Sequence, residues 1–105
     1  MAKTSPTQRS LALLRAQGYT AEVVERWNPH SRTRHDLFGF VDILAIGYGH
    51  TLAVQTTTRS NMAARIRKIE ESEHLPELIR SEWLIHVHGW AKNSKGEWML
   101  KKFEF

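Results

Sequence analysis

Cysteine is absent from the 105 residues, which excludes disulfides and thiolate metal sites. No apolar run reaches the roughly 18 residues that a membrane-spanning helix needs. Met1–Ser10 has no apolar signal core either, so the reading expects neither secretion nor a membrane partner and places the chain in the cytoplasm. Glycine and proline are sparse at six and three; with no repeat, low-complexity tract or linker, residues 1–105 read as one domain. Acid is the scarcer charge. Eleven Asp and Glu stand against fifteen Lys and Arg, a net charge of +4, and the pI is about 9.8. That balance favours a polyanionic partner, nucleic acid first.

What is present centres on residues 34–61, RHDLFGFVDILAIGYGHTLAVQTTTRSN. Leu37–Ile46 is almost wholly apolar and reads as a strand buried on both faces, as does Thr51–Thr57. One carboxylate, Asp42, interrupts the first run, where burial without a partner or a cation is costly. Between the runs, Gly47-Tyr48-Gly49-His50 closes as a two- or a four-residue turn. Either way the hairpin centre falls between Tyr48 and Gly49, so opposed residue numbers sum to 97. Asp42 then faces Gln55, and Thr57 shares that face by the period of two. A three-residue loop would break this register.

Elsewhere the elements follow from spacing. Ser5-Pro6 with Gln8 opens a helix that buries Leu11 and Leu14 and ends at Gly18. Tyr19–Trp27 reads as a strand near a sheet edge. Its Glu22 and Glu25 point to opposite faces; each is taken as a solvated carboxylate, although one of the two can face Asp42. Asn28–Asp36 is a polar loop carrying Arg32 and Arg34, able to clamp phosphates or simply to connect. Asp36 lies six residues before Asp42, about 20 Å away along a continuous strand, and is dismissed as a ligand. From Met62 a helix buries Ile66 and Ile69 and turns Arg65 and Lys68 outward, with Arg59 at its entrance. Trp83–His88 and Glu97–Phe105 are the last strands. His86 and His88 share a face but lack a third ligand, so no zinc site is expected. The order is αβββαββ, an α/β mixed sheet with helices packed on it.

The run Gly39-Phe40-Val41-Asp42-Ile43-Leu44-Ala45, the hairpin, Leu52-Ala53-Val54-Gln55-Thr56-Thr57, then Ser60-Asn61 and a basic helix resembles the PD-(D/E)XK nuclease superfamily, in particular its small Holliday-junction-resolvase-like and phage-type members. The resemblance implies a restriction-endonuclease-like core. It maps the first acid to Asp42, the second acid to Gln55 and the lysine to Thr57, so these three are the candidate catalytic residues. Some members of the superfamily carry glutamine at the second-acid position, and some use an extra acid from the first helix or nearby. Threonine for lysine is a departure, for which Arg59 or Lys68 could substitute from the helix.

The implied cofactor is Mg2+ or Mn2+, held by Asp42, Gln55 and the Thr56 carbonyl. The implied activity is hydrolysis of phosphodiester bonds in DNA, branched or structured DNA included, by a homodimer. Arg32, Arg34, Arg59, Arg65 and Lys68 are the expected nucleic-acid contacts. The alternative is a binding module that keeps the nuclease fold with weakened or lost catalysis. A third reading, a structural protein, would have Asp42 paired with Arg or Lys.

Overall fold

The computed structural model describes residues 4–105; Met1–Lys3, the head of the stretch read as lacking a signal core, lie outside the described residues. Ser5 starts the first helix, α1 (Pro6–Ala16): its hydroxyl accepts from the Gln8 N–H at 3.1 Å, and Pro6 fills the first turn, where no N–H is missed. The chain then runs through β1 (Thr20–Val23), a hairpin of β2 (Arg26–Asn28) and β3 (Thr33–His35), and a second hairpin of β4 (Ile43–Gly47) and β5 (His50–Thr58). A 3-10 turn (Arg59–Asn61), α2 (Met62–Glu70), α3 (Leu75–Arg80) and a last hairpin of β6 (Leu84–Lys92) and β7 (Trp98–Glu104) complete it.

Five strands form one mixed sheet in the order β1-β4-β5-β6-β7. Only β5 and β6 run parallel, and α2 and α3 make the crossover that a parallel pair requires. Along β5, Ala53 faces a core of Phe40, Val41, Met62, Ile69, Leu78, Ile85 and Val87 under α2 and α3. Leu52 and Val54 face the opposite core, with Leu11, Leu14, Ala21, Ile43 and Ala45 under α1. Helices therefore cover both faces of the central strand, which explains its unbroken apolar run. No helix among the described residues is long and apolar enough to cross a membrane.

The β4–β5 register is the expected one. Ile43 opposes Val54 and Gly47 opposes His50, each pair summing to 97, across a two-residue turn with Tyr48 and Gly49 both at positive φ.

Two expectations are corrected. Tyr19–Trp27 is not one strand. It breaks after Val23, because Val24 still donates to the Asp42 carbonyl at 2.8 Å while β2 leaves the main sheet to pair with β3. The polar segment after it is thus an ordered hairpin, whose turn is tied by Asn28 Oδ1 accepting from the His30 N–H at 2.9 Å. Nor is Leu37–Ile46 a continuous strand. Leu37 and Val41 exchange backbone hydrogen bonds of 3.1 and 2.9 Å around a reversal in which Phe38 and Gly39 take positive φ. Phe40 and Val41 are apolar because the core swallows the turn, and Gly39 adopts the left-handed backbone at little cost.

Candidate metal and nucleic-acid site

That reversal brings Asp36 back beside Asp42, overturning its dismissal as a ligand: the 20 Å separation assumed a straight strand. Glu25 joins them. One oxygen from each of Glu25, Asp36 and Asp42 lies within 4.8 Å of the others. The β2–β3 hairpin accounts for two of the three. Its pairs Arg26–His35, Trp27–Arg34 and Asn28–Thr33 all sum to 61, and Glu25 and Asp36 are the next pair at its base. Glu22 points away and meets Arg15 on the surface at 3.5 Å.

Asp42 is buried at the end of the sheet and held firmly. Its Oδ2 accepts from Gln55 Nε2 at 2.7 Å, from the Thr56 N–H at 2.7 Å and from the Thr56 hydroxyl at 3.1 Å. No Arg or Lys pairs with it among the described residues, so the structural-protein reading loses its expected ion pair. Gln55 gives its amide N–H to Asp42, and its Oε1 is left buried with no partner in a side chain only 3% exposed. Both residues border a cavity of about 490 Å³, together with Glu25, Asp36, Thr56 and Thr57.

The electrostatics are those of a crowded acid cluster. Burial pushes the Asp36 carboxyl up to about 6, and the charge of Asp42 and the hydrogen bond to it act the same way; Lys68 and Arg65 oppose them. Burial raises Asp42 as well, countered first by the Thr56 N–H, while the charge of Glu25 adds to the rise. An all-oxygen set of three carboxylates suits a hard cation such as Mg2+ or Mn2+. These residues fit the metal.

Cations ring the same cavity: Arg34, Arg65 and Lys68 line it, with Ser5, Pro6 and Thr7 of the α1 N-terminus. Arg34 also lies 3.8 Å from Glu25. Two expected contacts are placed elsewhere. Arg32 sits exposed at the hairpin tip, and Arg59 belongs to the 3-10 turn packed over Gly89 of β6, outside the cavity lining. Thr7 was legible only as part of a helix start, yet its hydroxyl lies 2.6 Å from Thr56 Oγ1.

The histidine pair of β6 has other work. Trp90 Nε1 donates to Ser10 Oγ at 2.9 Å, and the same oxygen lies 2.8 Å from His88 Nδ1. His88 is therefore a hydrogen-bonded core imidazole. Burial, then the charges of His86 and Lys102, lowers it to about 4. His86 lies 3.4 Å from Glu104.

Compared with known proteins, the chain matches no family model, no curated protein and no solved structure.

Proposed function

We propose that the protein is a metal-dependent endonuclease of the PD-(D/E)XK type, with a restriction-endonuclease-like core, that hydrolyses phosphodiester bonds of DNA. One observation carries the reading: a cluster of three carboxylates shares a single cavity with Gln55, whose Oε1 has no partner, and with Arg34, Arg65 and Lys68. A phosphodiester needs both halves, since negative charge grows on the phosphate as water attacks. Glu25, Asp36 and Asp42 would hold a divalent ion, which would supply Lewis acidity there. Asp42, fixed by three hydrogen bonds, and Gln55 hold its position. Lys68 and Arg65, whose charges reach Asp36, hold the phosphate and take the part that Thr57 cannot. The Thr57 hydroxyl, on the Gln55 face, lines the same cavity.

Threonine at the lysine position favours one second reading, a DNA-binding module of the same fold without catalysis. Incubation with linear, single-stranded and four-way-junction DNA, with Mg2+ or Mn2+ against a chelator, separates the two. The nuclease reading expects cuts that need the divalent ion and vanish in Asp42→Asn; binding without cutting under every condition leaves the module.

A further inference from the structure

The hairpin of β2 and β3 stands apart from the main sheet and carries a surface that the metal site does not use. Between Glu25 and Asp36 its ten residues, RWNPHSRTRH, hold three arginines and two histidines and no acid. Trp27 lies in the middle of β2 and is 58% exposed.

The other tryptophans are accounted for by packing. Trp90 is 9% exposed and bonded to Ser10, and Trp83 meets Phe38 edge-on. Trp98, 39% exposed, lies under the Arg9 guanidinium at 4.0 Å. Trp27 has no aromatic or cationic partner among the described residues. It borders a hollow of about 320 Å³ with Arg26, Asn28, Pro29 and His35.

Register links this surface to the site. Trp27 is directly opposed to Arg34, so the two side chains share a hairpin face at a Cα separation of about 5 Å. Arg34 lines the cavity of the carboxylates. An indole face is thus presented one side chain away from an arginine of the acid cavity. That pairing of a stacking surface with backbone-neutralising cations is how proteins hold single strands, whose bases expose their π faces; in duplex those faces are covered.

We propose that the β2–β3 hairpin is a single-strand grip: Trp27 stacks on an unpaired base of DNA while Arg34 and Arg32 neutralise the flanking phosphates, feeding the strand to the Glu25–Asp36–Asp42 site. This rests on the nuclease reading for its substrate, but the test does not.

The measurement is binding by fluorescence anisotropy in the presence of chelator, so that nothing is cut, to a labelled oligothymidylate strand and to a blunt duplex of equal length. Trp27→Ala is expected to weaken single-strand binding about 5- to 150-fold, the equivalent of the ~1–3 kcal/mol of one base–aromatic stack, and to leave duplex binding unchanged. Trp27→Phe should keep most of the single-strand affinity. A second readout guards against misfolding of the alanine variant: the strand should quench tryptophan emission in the parent, and the quench should be largely lost in Trp27→Phe. Equal losses on both DNAs, unchanged binding by Trp27→Ala, or an undiminished quench in Trp27→Phe would each overturn the grip. Divalent-dependent cleavage alongside any of those results removes the grip alone. A Trp27 effect without cleavage under any ion removes the nuclease reading alone.

Discussion

Thr7 donates to Thr56. Their hydroxyl oxygens are 2.6 Å apart, and the single hydroxyl hydrogen of Thr56 is committed to Asp42 Oδ2 at 3.1 Å, so the hydrogen between the two threonines must come from Thr7. The first turn of α1 therefore steadies the buried carboxylate through a relay across the sheet. Thr56→Val keeps the shape and cuts the relay. We expect it to cost about 1.5–3 kcal/mol, the range for a hydrogen bond to a charged group. Thr7→Ala should cost less, because Thr56 keeps its bond to Asp42. Urea denaturation of both variants checks the order, and an equal cost would break the relay argument.

The acid cluster predicts a metal-linked gain in stability. Mg2+ or Mn2+ at a hundredfold excess over its Kd should stabilise the fold by about 2.7 kcal/mol, seen as a rise in Tm. Glu25→Gln, Asp36→Asn and Asp42→Asn should each shrink that rise. Asp36→Asn should also stabilise the metal-free protein, since it removes one of three crowded carboxylates. Gln55→Glu adds a ligand charge but loses the 2.7 Å bond to Asp42. Its metal affinity should go up while its metal-free stability goes down. A Tm indifferent to divalent ions in the parent would end the metal assignment.

Lys68 and Arg65 are expected to fill the place of the lysine that β5 lacks. Lys68→Ala should then lower any cleavage rate by about 10²–10³-fold, the usual loss when one charge-stabilising group is removed. Thr57→Lys alone should change little, and Thr57→Lys should rescue Lys68→Ala. Arg59→Ala, outside the cavity, should leave the chemical step unchanged. Single-turnover rates at saturating ion distinguish these outcomes.

His88 predicts a pH dependence with a definite sign. Its folded value, about 4, lies below the ordinary 6.5, so the unfolded chain binds the proton more readily. The associated stability is fully present above pH 6.5 and is lost as pH falls towards 4, up to roughly 3 kcal/mol in all. Asp36 runs the other way: its folded value is raised to about 6 from 3.8, so its contribution is present below 3.8 and is lost as pH rises through 6. The two oppose each other in one window, and the parent alone would conceal both. His88→Gln retains a hydrogen-bonding group for Ser10 and cannot titrate. Its denaturation midpoint should fall less than that of the parent between pH 7.5 and 4.5, as measured by denaturant titration at each pH.

Gly89 seats the turn that launches α2. A Cβ there would overlap the Met62 side chain and approach the Arg59 backbone to 3.2 Å. Gly89→Ala should cost about 1–3 kcal/mol, as overpacking does, and should weaken DNA binding by displacing Arg65 and Lys68. A variant with parental stability and affinity would show that the turn yields freely.

The parts of the site that a sequence reader can place are those fixed by local turn chemistry. Gly47-Tyr48-Gly49 determines the hairpin centre, and with it the meeting of Asp42 with Gln55. The part that misleads is Leu37–Val41. An apolar run looks the same whether it lies straight in a sheet or folds back into the core, and Gly39 is its one mark of reversal. Losing that turn loses Asp36. The β2–β3 hairpin hides for the opposite reason: Arg26, Thr33, Arg34 and His35 are exposed, so no apolar alternation marks them as strand. The helices were easier, because Ser5, Leu11, Leu14, Met62 and Ile69 carry capping and burial signals at helical spacing.

The base of that hairpin has a consequence for loop length. Glu25 and Asp36 come together because they extend by one step the hairpin register in which opposed numbers sum to 61. Adding one residue to each strand would preserve the meeting of the two acids and carry the tip outward by about 3.4 Å. Adding one residue to a single strand would slide the ladder by a step and turn one acid to the other face unless a bulge absorbed it. The reach of the arm is therefore free to change in paired steps, while its register is bound to the meeting of the two acids.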